Sequence, residues 1–150
     1  EREVLPACDD QGVGVICWSP LAGGLLTGKY REAPAPDEGT RMALRAKFDV
    51  KRFWHDRGFR IAREVNAVAE SIGRPALEVA LAWLLFDRRV SSVIVGARSA
   101  EQIRQNAAAG DLDLDAGAHA RLDEVAAFEP GYPASWVEMN ANPQFTDVDS

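Results

Sequence analysis

A glycine-rich stretch follows a short apolar run near the start of the chain. The run covers residues 13–18, and the stretch after it covers residues 19–30. Glycine permits the close backbone approach and the free N–H groups that a ligand phosphate needs, while Trp18 offers a flat apolar ring and Ser19 a hydroxyl. The stretch matches neither the G-x-G-x-x-G fingerprint nor the G-x-x-x-x-G-K-[ST] pattern. On spacing alone, it is either part of a phosphate-binding site or a flexible turn beside a core tryptophan.

A second candidate lies where residues 96–99 join another apolar run to a predicted helix. The free N–H groups and partial positive charge of a helix N-terminus favour anions, and Arg98 adds a planar cation suited to phosphate. Ser99 and Gln102 have the spacing of a capping box, and further amide side chains follow at Gln105 and Asn106. These residues are therefore either an anion and base site or a capped helix start with a solvated arginine.

The other reactive side chains do not form a recognisable site. His55 and His119 have no acid or nucleophile nearby in the sequence, which favours surface or helix-face roles for both. Cys8 and Cys17 lack metal-ligand spacing with the histidines and cannot form a disulfide framework. We therefore predict no metal site, no Ser-His-Asp triad and reduced thiols, as in a cytoplasmic protein.

Composition limits the class of protein further. The 150 residues are 47% hydrophobic and 27% charged, and 17 basic against 23 acidic side chains give a net charge of −6. This apolar content excludes disorder, and an acidic chain with no concentrated basic run is a poor nucleic-acid binder. No apolar run approaches the roughly 18 residues that a membrane span needs. We therefore expect one globular domain over residues 1–150, with neither a nucleic-acid partner nor a membrane span.

Helical periodicity predicts most of the regular structure. Gly73 and Gly110 suit helix ends, Pro75 suits a first helical turn, and Asp115 is a natural N-cap. Residues 131–150 show no period and are predicted to be a tail that is frayed or ordered only on contact. The predictions before that tail are a helix end over 1–8, a surface excursion with short helical turns over 31–56, an amphipathic helix over 61–72, a nearly all-apolar helix over 76–86 that must be covered on most sides, a helix over 99–109 and a last helix that stops before Pro130.

Two apolar runs, 13–18 and 93–95, are predicted to be parallel strands because helices separate them. Runs that do not alternate with polar residues are typical of strands buried on both faces. Two such strands alone leave open edges. We therefore predict a piece of a larger α/β protein, whose other strands lie upstream or belong to another chain, and association through exposed strand edges. Both candidate sites then lie at C-terminal ends of strands, where α/β proteins bind ligands.

The same segments resemble the aldo-keto reductase family. Residues 12–30, GVGVICWSPLAGGLLTGKY, are similar to the segment of the family's seventh barrel strand, and residues 93–106, VIVGARSAEQIRQN, to its eighth-strand cofactor segment. Residues 77–85, with Trp83, resemble the helix between them. Within the family, these segments resemble the branch that contains potassium-channel β-subunits and bacterial oxidoreductases. The resemblance implies the C-terminal portion of a (β/α)8 TIM barrel that binds NADPH and transfers hydride to an aldehyde or ketone.

The resemblance also implies roles for individual residues. Trp18 would stack on the nicotinamide, where many members have Tyr. The backbone and side chains that would line the pyrophosphate and its loop belong to Ser19, Leu21 and Gly23. Contacts with the ribose 2′-phosphate would come from Gly96, Ala97 and Arg98, and contacts with that phosphate and the adenine from Gln102, Gln105 and Asn106.

The sequence departs from the family in two respects. Some relatives have Arg where this chain has Gln102, so the preference for NADP over NAD depends on Arg98. The family's catalytic Asp, Tyr, Lys and His lie on earlier strands, before residue 1, and Lys29 and Tyr30 match a non-catalytic segment. No catalytic residue can therefore be named, and the chain alone is expected to be inactive. Two alternatives to an enzyme part stay open: a nucleotide-binding or channel-β-subunit-like regulatory piece, and an inactive truncated product.

Overall fold

A computed structural model of the protein describes residues 1–128 and 131–140. The described chain combines helices with one pair of strands, and two short 3₁₀ turns lie at Ala22–Thr27 and Ala109–Asp111. In chain order, the elements are α1 (Val4–Asp10), β1 (Val15–Trp18), α2 (Arg41–Leu44), α3 (Asp49–Phe53), α4 (Asp56–Ile72), α5 (Ala76–Phe86), β2 (Val90–Ile94), α6 (Ala100–Ala108), α7 (Ala116–Ala126) and α8 (Ala134–Asn140).

The predicted helices of the middle of the chain are confirmed. Helix α5 has the predicted bounds, with Pro75 as its N-cap, and α4 is terminated by its C-cap Gly73, whose φ of 65° is left-handed. Helix α4 begins five residues before its predicted apolar stripe because the His55 ring acts as its N-cap: Gly58 N–H donates to His55 Nδ1 at 3.1 Å. Residues at the two ends of α4 therefore fix the helix that supports most of the core.

The main core lies between α4, α5 and α7. An apolar stripe on α4 packs against the nearly all-apolar α5, and Leu122 of α7 is buried in the same cluster. Ion pairing adds a contact at the rim, where Arg121 of α7 donates to Glu64 of α4 at 2.8 Å. The buried residues of this cluster are Val65, Val68, Ala69, Val79, Ala80, Ala82, Leu114, Ala118 and Leu122.

A second core cluster shows that the predicted surface excursion over 31–56 is partly wrong. The short helical turns exist as α2 and α3, but Met42 is 0% exposed and packs with Leu25, Phe59 and Ala62. Asp49 is also buried, at 2% exposure. The excursion therefore folds back over the glycine-rich stretch, a non-local contact that no sequence period shows.

Strands β1 and β2 pair in parallel, as predicted, with Trp18 opposite Ile94 and Cys17 opposite Val93. Strand β2 begins three residues before the predicted run, at Val90, because Ser91 and Ser92 belong to the strand although they are polar. Both serines are exposed. The pattern of apolar residues therefore marked only the end of this strand.

Burial of the strands on both faces, which the sequence predicted, is wrong for the described residues. Helix α5 packs against β2, but Ile16, Trp18 and Ile94 are 62%, 56% and 53% exposed. Side chains alternate along a strand, so these residues share the face opposite Cys17 and Val93. The chain is thus a mixed α/β structure with two parallel strands and an open apolar sheet face, consistent with part of a (β/α)8 barrel.

The turn before β2 is held by one residue pair. Asp87 accepts from the backbone N–H of Arg89 at 3.0 Å, and its carboxylate binds the Arg89 guanidinium, with Nη2 at 2.6 Å from Oδ2. The hydrogen bond from the Arg89 side chain is the main cause that lowers the pKa of Asp87 below its usual 3.8. The pair thereby fixes the entry into β2.

The chain ends differ from the predictions in their helices. Helix α1 begins at Val4 and continues to Asp10, two residues past the predicted end. Helix α8 is a correction, because residues 131–150 were predicted to have no regular element. Its large apolar side chains Trp136, Val137 and Met139 are all exposed. The helix therefore has no apolar stripe that packs on the core, which is the pattern by which helices were predicted from the sequence. The remainder of the predicted tail, 141–150, lies outside the described residues. Within the described ranges, no helix is both long and apolar enough to cross a bilayer.

Candidate functional site

The first junction, which we define as residues 18–28, is a left-handed turn after β1. Ser19 and Ala22 have φ of 56° and 48°, and Gly23 and Gly24 have φ of 67° and 96°. Positive φ is unusual for a residue with a side chain, so the surrounding structure must hold Ser19 and Ala22 in place. The turn is closed by the Gly24 N–H, which donates to the Leu21 carbonyl at 2.8 Å.

At two positions of this turn the positive φ favours glycine, and a side chain there would also crowd its neighbours. A Cβ on Gly23 would lie 3.2 Å from Asp49 Oδ2 and 3.2 Å from Met42 Cε. A Cβ on Gly24 would lie 2.9 Å from Lys29 Nζ. The loop backbone is therefore backed by the excursion on one side and has an ammonium group beside it on the other.

The Asp49 carboxylate behind Gly23 is incompletely hydrogen-bonded. Its Oδ2 is buried without a hydrogen bond in the described part of the chain, and its nearest charged partner is Arg45 Nε at 3.5 Å. A buried carboxylate needs compensation, which here comes from that ion pair. Asp49 and Arg45 thus join α2 and α3 directly behind the glycine turn.

Trp18 occupies the open face of the sheet at the start of the first junction. Its indole is more than half exposed, and Ile94 lies opposite it on β2. An exposed aromatic ring at the C-terminal end of a strand can serve as a stacking surface for a flat ligand. The sequence-based alternative of a core tryptophan is wrong for the described residues.

The second junction, which we define as residues 95–106, connects β2 to α6 and is open to solvent. Ser99 is the N-cap of α6, as predicted: the Gln102 N–H donates to Ser99 Oγ at 3.2 Å. The Gln102 side chain accepts from the Arg98 backbone N–H at 2.7 Å instead of from Ser99. Gln102 therefore stabilises the start of the helix, which agrees with the capping interpretation of this residue.

The remaining predicted residues of the second junction differ in solvent exposure and in whether their side chains already have partners. Gly96, Ala97 and Arg98 are exposed, and within residues 1–128 and 131–140 no carboxylate forms an ion pair with the Arg98 guanidinium. Gln105 is half-buried and its Nε2 donates to Glu101 Oε1 at 3.3 Å. Asn106 is half-buried on the same helix. The junction thus presents a cation and backbone groups, while two of its three amide side chains are engaged within the chain.

The pairing of the strands relates the two junctions. Because β1 and β2 are parallel and Trp18 pairs with Ile94, both connections begin at the same end of the sheet, where the C-termini of the strands lie. The structure therefore places Trp18 and Ser19 beside the strand that leads to Gly96, as the sequence indicated. Lys29, Asp49 and Arg52 lie next to residues of the first junction and were not among the predicted site residues. For Arg52, the basic composition of residues 41–52 was the available signal.

The histidines do not form a catalytic group in the described chain. His55 caps α4, as stated above. The prediction that His119 lacks an acidic partner is wrong, because its Nδ1 lies 3.0 Å from Asp123 Oδ2 one helical turn away. The Trp83 Nε1–H donates to the other oxygen of Asp123 at 2.8 Å, so the group ties α5 to α7. No set of three potential metal ligands occurs among residues 1–128 and 131–140.

Comparison with known proteins identifies the family. The model of the aldo/keto reductase family matches residues 1–127, which includes both junctions and the core helices. The chain is 40% identical over 115 residues to the uncharacterized oxidoreductase YrpG of Bacillus subtilis, which is 77% of this chain and 32% of that protein.

Two other relatives have different descriptions. Over 123 residues, the chain is 34% identical to the L-glyceraldehyde 3-phosphate reductase of Escherichia coli O157:H7, covering 81% of this chain and 36% of that protein. Over 112 residues, it is 35% identical to an Arabidopsis thaliana protein named "Probable voltage-gated potassium channel subunit beta", covering 75% and 34%. The chain spans about a third of the length of these curated relatives. With the family match over most of its residues and two parallel strands that end in the matched junctions, the chain belongs to the aldo/keto reductase family.

Proposed function

We propose that this chain is the C-terminal part of an NADP-dependent aldo-keto reductase and supplies the cofactor-binding segments of a (β/α)8 barrel. The observation that supports this most is the position of the two junctions at the C-terminal ends of neighbouring parallel strands, where such barrels bind ligands. In this proposal, the free strand edges pair with the remaining strands of the barrel, and the open sheet face packs against other side chains of the complete barrel. The cytoplasm is the proposed location, in keeping with two cysteines that are free thiols.

The residues of the two junctions fit a dinucleotide phosphate. At the first junction, glycine backbone and the nearby Lys29 ammonium together suit the pyrophosphate. At the second, the N-terminus of the nine-residue α6 and the Arg98 guanidinium, which has no ion pair among the described residues, suit the ribose 2′-phosphate. When bound, NADPH supplies the hydride that reduces a carbonyl carbon.

Each predicted residue has a binding role in this proposal. Trp18 stacks on the nicotinamide through its exposed ring, and the Ser19–Leu21–Gly23 turn lines the pyrophosphate. Gly96 and Ala97 allow the backbone to approach the 2′-phosphate that Arg98 pairs with. Asn106 faces the adenine, whereas Gln102 and Gln105 must exchange their internal hydrogen bonds for contacts with the nucleotide, so we expect them to contribute less than Arg98.

Proton transfer to the carbonyl oxygen is assigned to residues outside this chain. The reaction needs a general acid near the nicotinamide, and the described residues offer no histidine or tyrosine in that position, since His55 is a helix cap and the Tyr30 hydroxyl accepts from the Met42 N–H at 3.3 Å. The proposed substrate class is a small aldehyde or ketone. The chain alone is expected to bind nucleotide without turnover.

A regulatory role is the second candidate. Its support is the similarity to the Arabidopsis protein named as a potassium channel subunit beta. A part that binds nucleotide to sense it, or to dock on a partner, would use the same two junctions. The distinction between the candidates is turnover in the complete protein, because a sensor binds NADPH whether or not it reduces a carbonyl compound. An inactive truncated product is the third candidate, and it predicts no nucleotide binding and association through the exposed strand edges.

Calorimetric titration of the chain with NADPH and NADH tests the proposal. We expect NADPH to bind at least about tenfold more tightly than NADH, because a charge-assisted pair with the 2′-phosphate is worth about 1.5–3 kcal/mol. The variant Arg98→Ala should reduce this ratio towards one, whereas the matched control Arg88→Ala, at an exposed position before β2, should leave it unchanged. Equal affinities for the two nucleotides in the unaltered chain would refute the preference for NADP, and the absence of any binding would refute the proposal.

A further inference from the structure

Arg52 lies over the ring that we propose as the nicotinamide platform. Its guanidinium carbon is 5.7 Å from the centroid of the Trp18 ring and 5.8 Å from that of Phe53. Both distances are within the range of cation–π contacts. In the described part of the chain, no carboxylate forms an ion pair with Arg52. A guanidinium in this setting is orientated by aromatic rings and keeps its hydrogen-bond donors for an anion.

The segment that contains Arg52 is basic although the chain as a whole is acidic. Residues 41–52 contain five basic side chains and one acidic one, Asp49, in a chain with a net charge of −6. Asp49 is buried and its ion-pair partner is Arg45, so it does not neutralise Arg52. Arg52 therefore places a positive charge beside Trp18, and a positive charge attracts anions to this part of the surface.

The backbone of Arg52 is held in place by its neighbours. The His55 ring, which caps α4 through Nδ1, contacts the Arg52 carbonyl through Nε2 at 2.9 Å. Trp54 packs edge-on against Phe59, with ring centroids 4.8 Å apart, and its Nε1–H donates to the Ala33 carbonyl at 2.7 Å. A binding group on an ordered segment loses less entropy when it binds a ligand than one on a free loop.

We infer that Arg52 binds the oxyanion of an anionic carbonyl substrate, a phosphate or a carboxylate, whose reacting carbon lies over the nicotinamide at Trp18. This inference rests on the proposed function, because it places the nicotinamide on Trp18. It narrows the substrate class from any small aldehyde or ketone to one with a negative group a few bonds from the carbonyl. Arg52 is then a specificity-determining residue, separate from the Arg98 contact with the cofactor.

The anion site can be tested first without cofactor. Inorganic phosphate is titrated into the isotopically labelled chain, and the indole N–H signal of Trp18, assigned through Trp18→Phe, is followed by NMR. We expect a saturable shift that Arg52→Gln abolishes and that Arg52→Lys retains in part, because lysine keeps the charge but loses the planar fork. The matched control Arg60→Gln, at an exposed position on α4, removes the same charge and should leave the shift unchanged.

The substrate class is tested with matched aldehydes on the chain saturated with NADP⁺, so that no hydride is available. Glycolaldehyde phosphate is compared with glycolaldehyde, and succinic semialdehyde with butanal. We expect the anionic member of at least one pair to bind about tenfold more tightly, as a charge-assisted bond would predict, and Arg52→Gln to bring that ratio close to one. A preference in the first pair identifies phosphate as the recognised group, and a preference in the second pair identifies carboxylate.

The two experiments separate this inference from the proposed function. A phosphate shift at Trp18 that depends on Arg52, in a chain that does not bind NADP⁺, would support the anion site and refute the cofactor site. If neither pair shows a preference, or if a preference persists in Arg52→Gln, Arg52 does not recognise the substrate. The absence of any Arg52-dependent phosphate shift together with normal NADP⁺ binding would overturn the inference and leave the cofactor proposal intact.

Discussion

The two junctions follow neighbouring strands at the same end of the sheet, but they are built in different ways. At the first, Gly23 is buried, and Met42 and Asp49 approach it from behind. At the second, Gly96 is exposed, with open space where a Cβ would be. The first is thus shaped by packing of distant segments, and the second by the local cap at Ser99. If the two junctions bind one cofactor, as proposed, the binding surface combines a preorganised half with a half that depends on few other residues.

Truncation of a core residue behind the first junction should have the largest effect. Met42 is 0% exposed, so Met42→Ala removes buried contacts and leaves a cavity, and we expect the free energy of unfolding to fall by about 2–5 kcal/mol. Ile103, on α6 of the second junction, is 60% exposed, and Ile103→Ala should change it by less than about 0.5 kcal/mol. Urea denaturation measures both. Similar losses in the two variants would show that the junctions are equally embedded.

The glycines give a matched pair of smaller substitutions. Gly23→Ala places a side chain at φ 67° and within 3.2 Å of Asp49 and Met42, so we expect a loss of about 1–3 kcal/mol in the free energy of unfolding. Gly96→Ala meets neither obstacle, and its effect should be neutral or stabilising by up to about 1 kcal/mol. Thermal denaturation of both variants measures this difference in stability. A Gly23→Ala protein as stable as the unaltered chain would contradict the packing described for the first junction.

Acid should weaken the strand that leads to the second junction, with the smallest effect of the three. The Arg89 side chain lowers the pKa of Asp87 in the folded chain below its usual 3.8, so this pair stabilises the fold fully at pH values above that usual pKa. That contribution disappears as the pH falls through the lower folded value. Asp87→Asn should therefore flatten the acid limb of the stability curve, while Glu38→Gln, at an exposed position, controls for net charge. An unchanged acid limb in Asp87→Asn would show that the turn does not contribute.

Features that depend on neighbouring residues were predictable from the sequence. Helix α5 has its predicted bounds because its apolar run and Pro75 act locally, and Ser99 and Asp115 cap α6 and α7 as their spacing indicated. The parallel pairing followed from the helices between the strands. At the candidate site, the positions of both junctions at the ends of paired parallel strands agree with the sequence interpretation.

Features that depend on distant residues were not predictable. Burial of Met42 and Asp49 and the position of Arg52 over Trp18 arise from a fold-back of residues 41–53, whose apolar residues have no sustained period. Strand β2 was placed too late because Ser91 and Ser92 interrupt the apolar run. The open sheet face differs from the predicted burial because the residues that determine burial there are not local to β1 or β2.

The central claim is that the two junctions bind the two ends of one dinucleotide, and amide NMR of the labelled chain with cofactor fragments tests it most directly. Nicotinamide mononucleotide should shift the signals of Trp18, Gly23 and Gly24, adenosine 2′,5′-bisphosphate those of Ala97, Arg98 and Asn106, and NADPH both sets at once. Saturation by NADPH of only one set, or shifts by both fragments at the same junction, would contradict the claim.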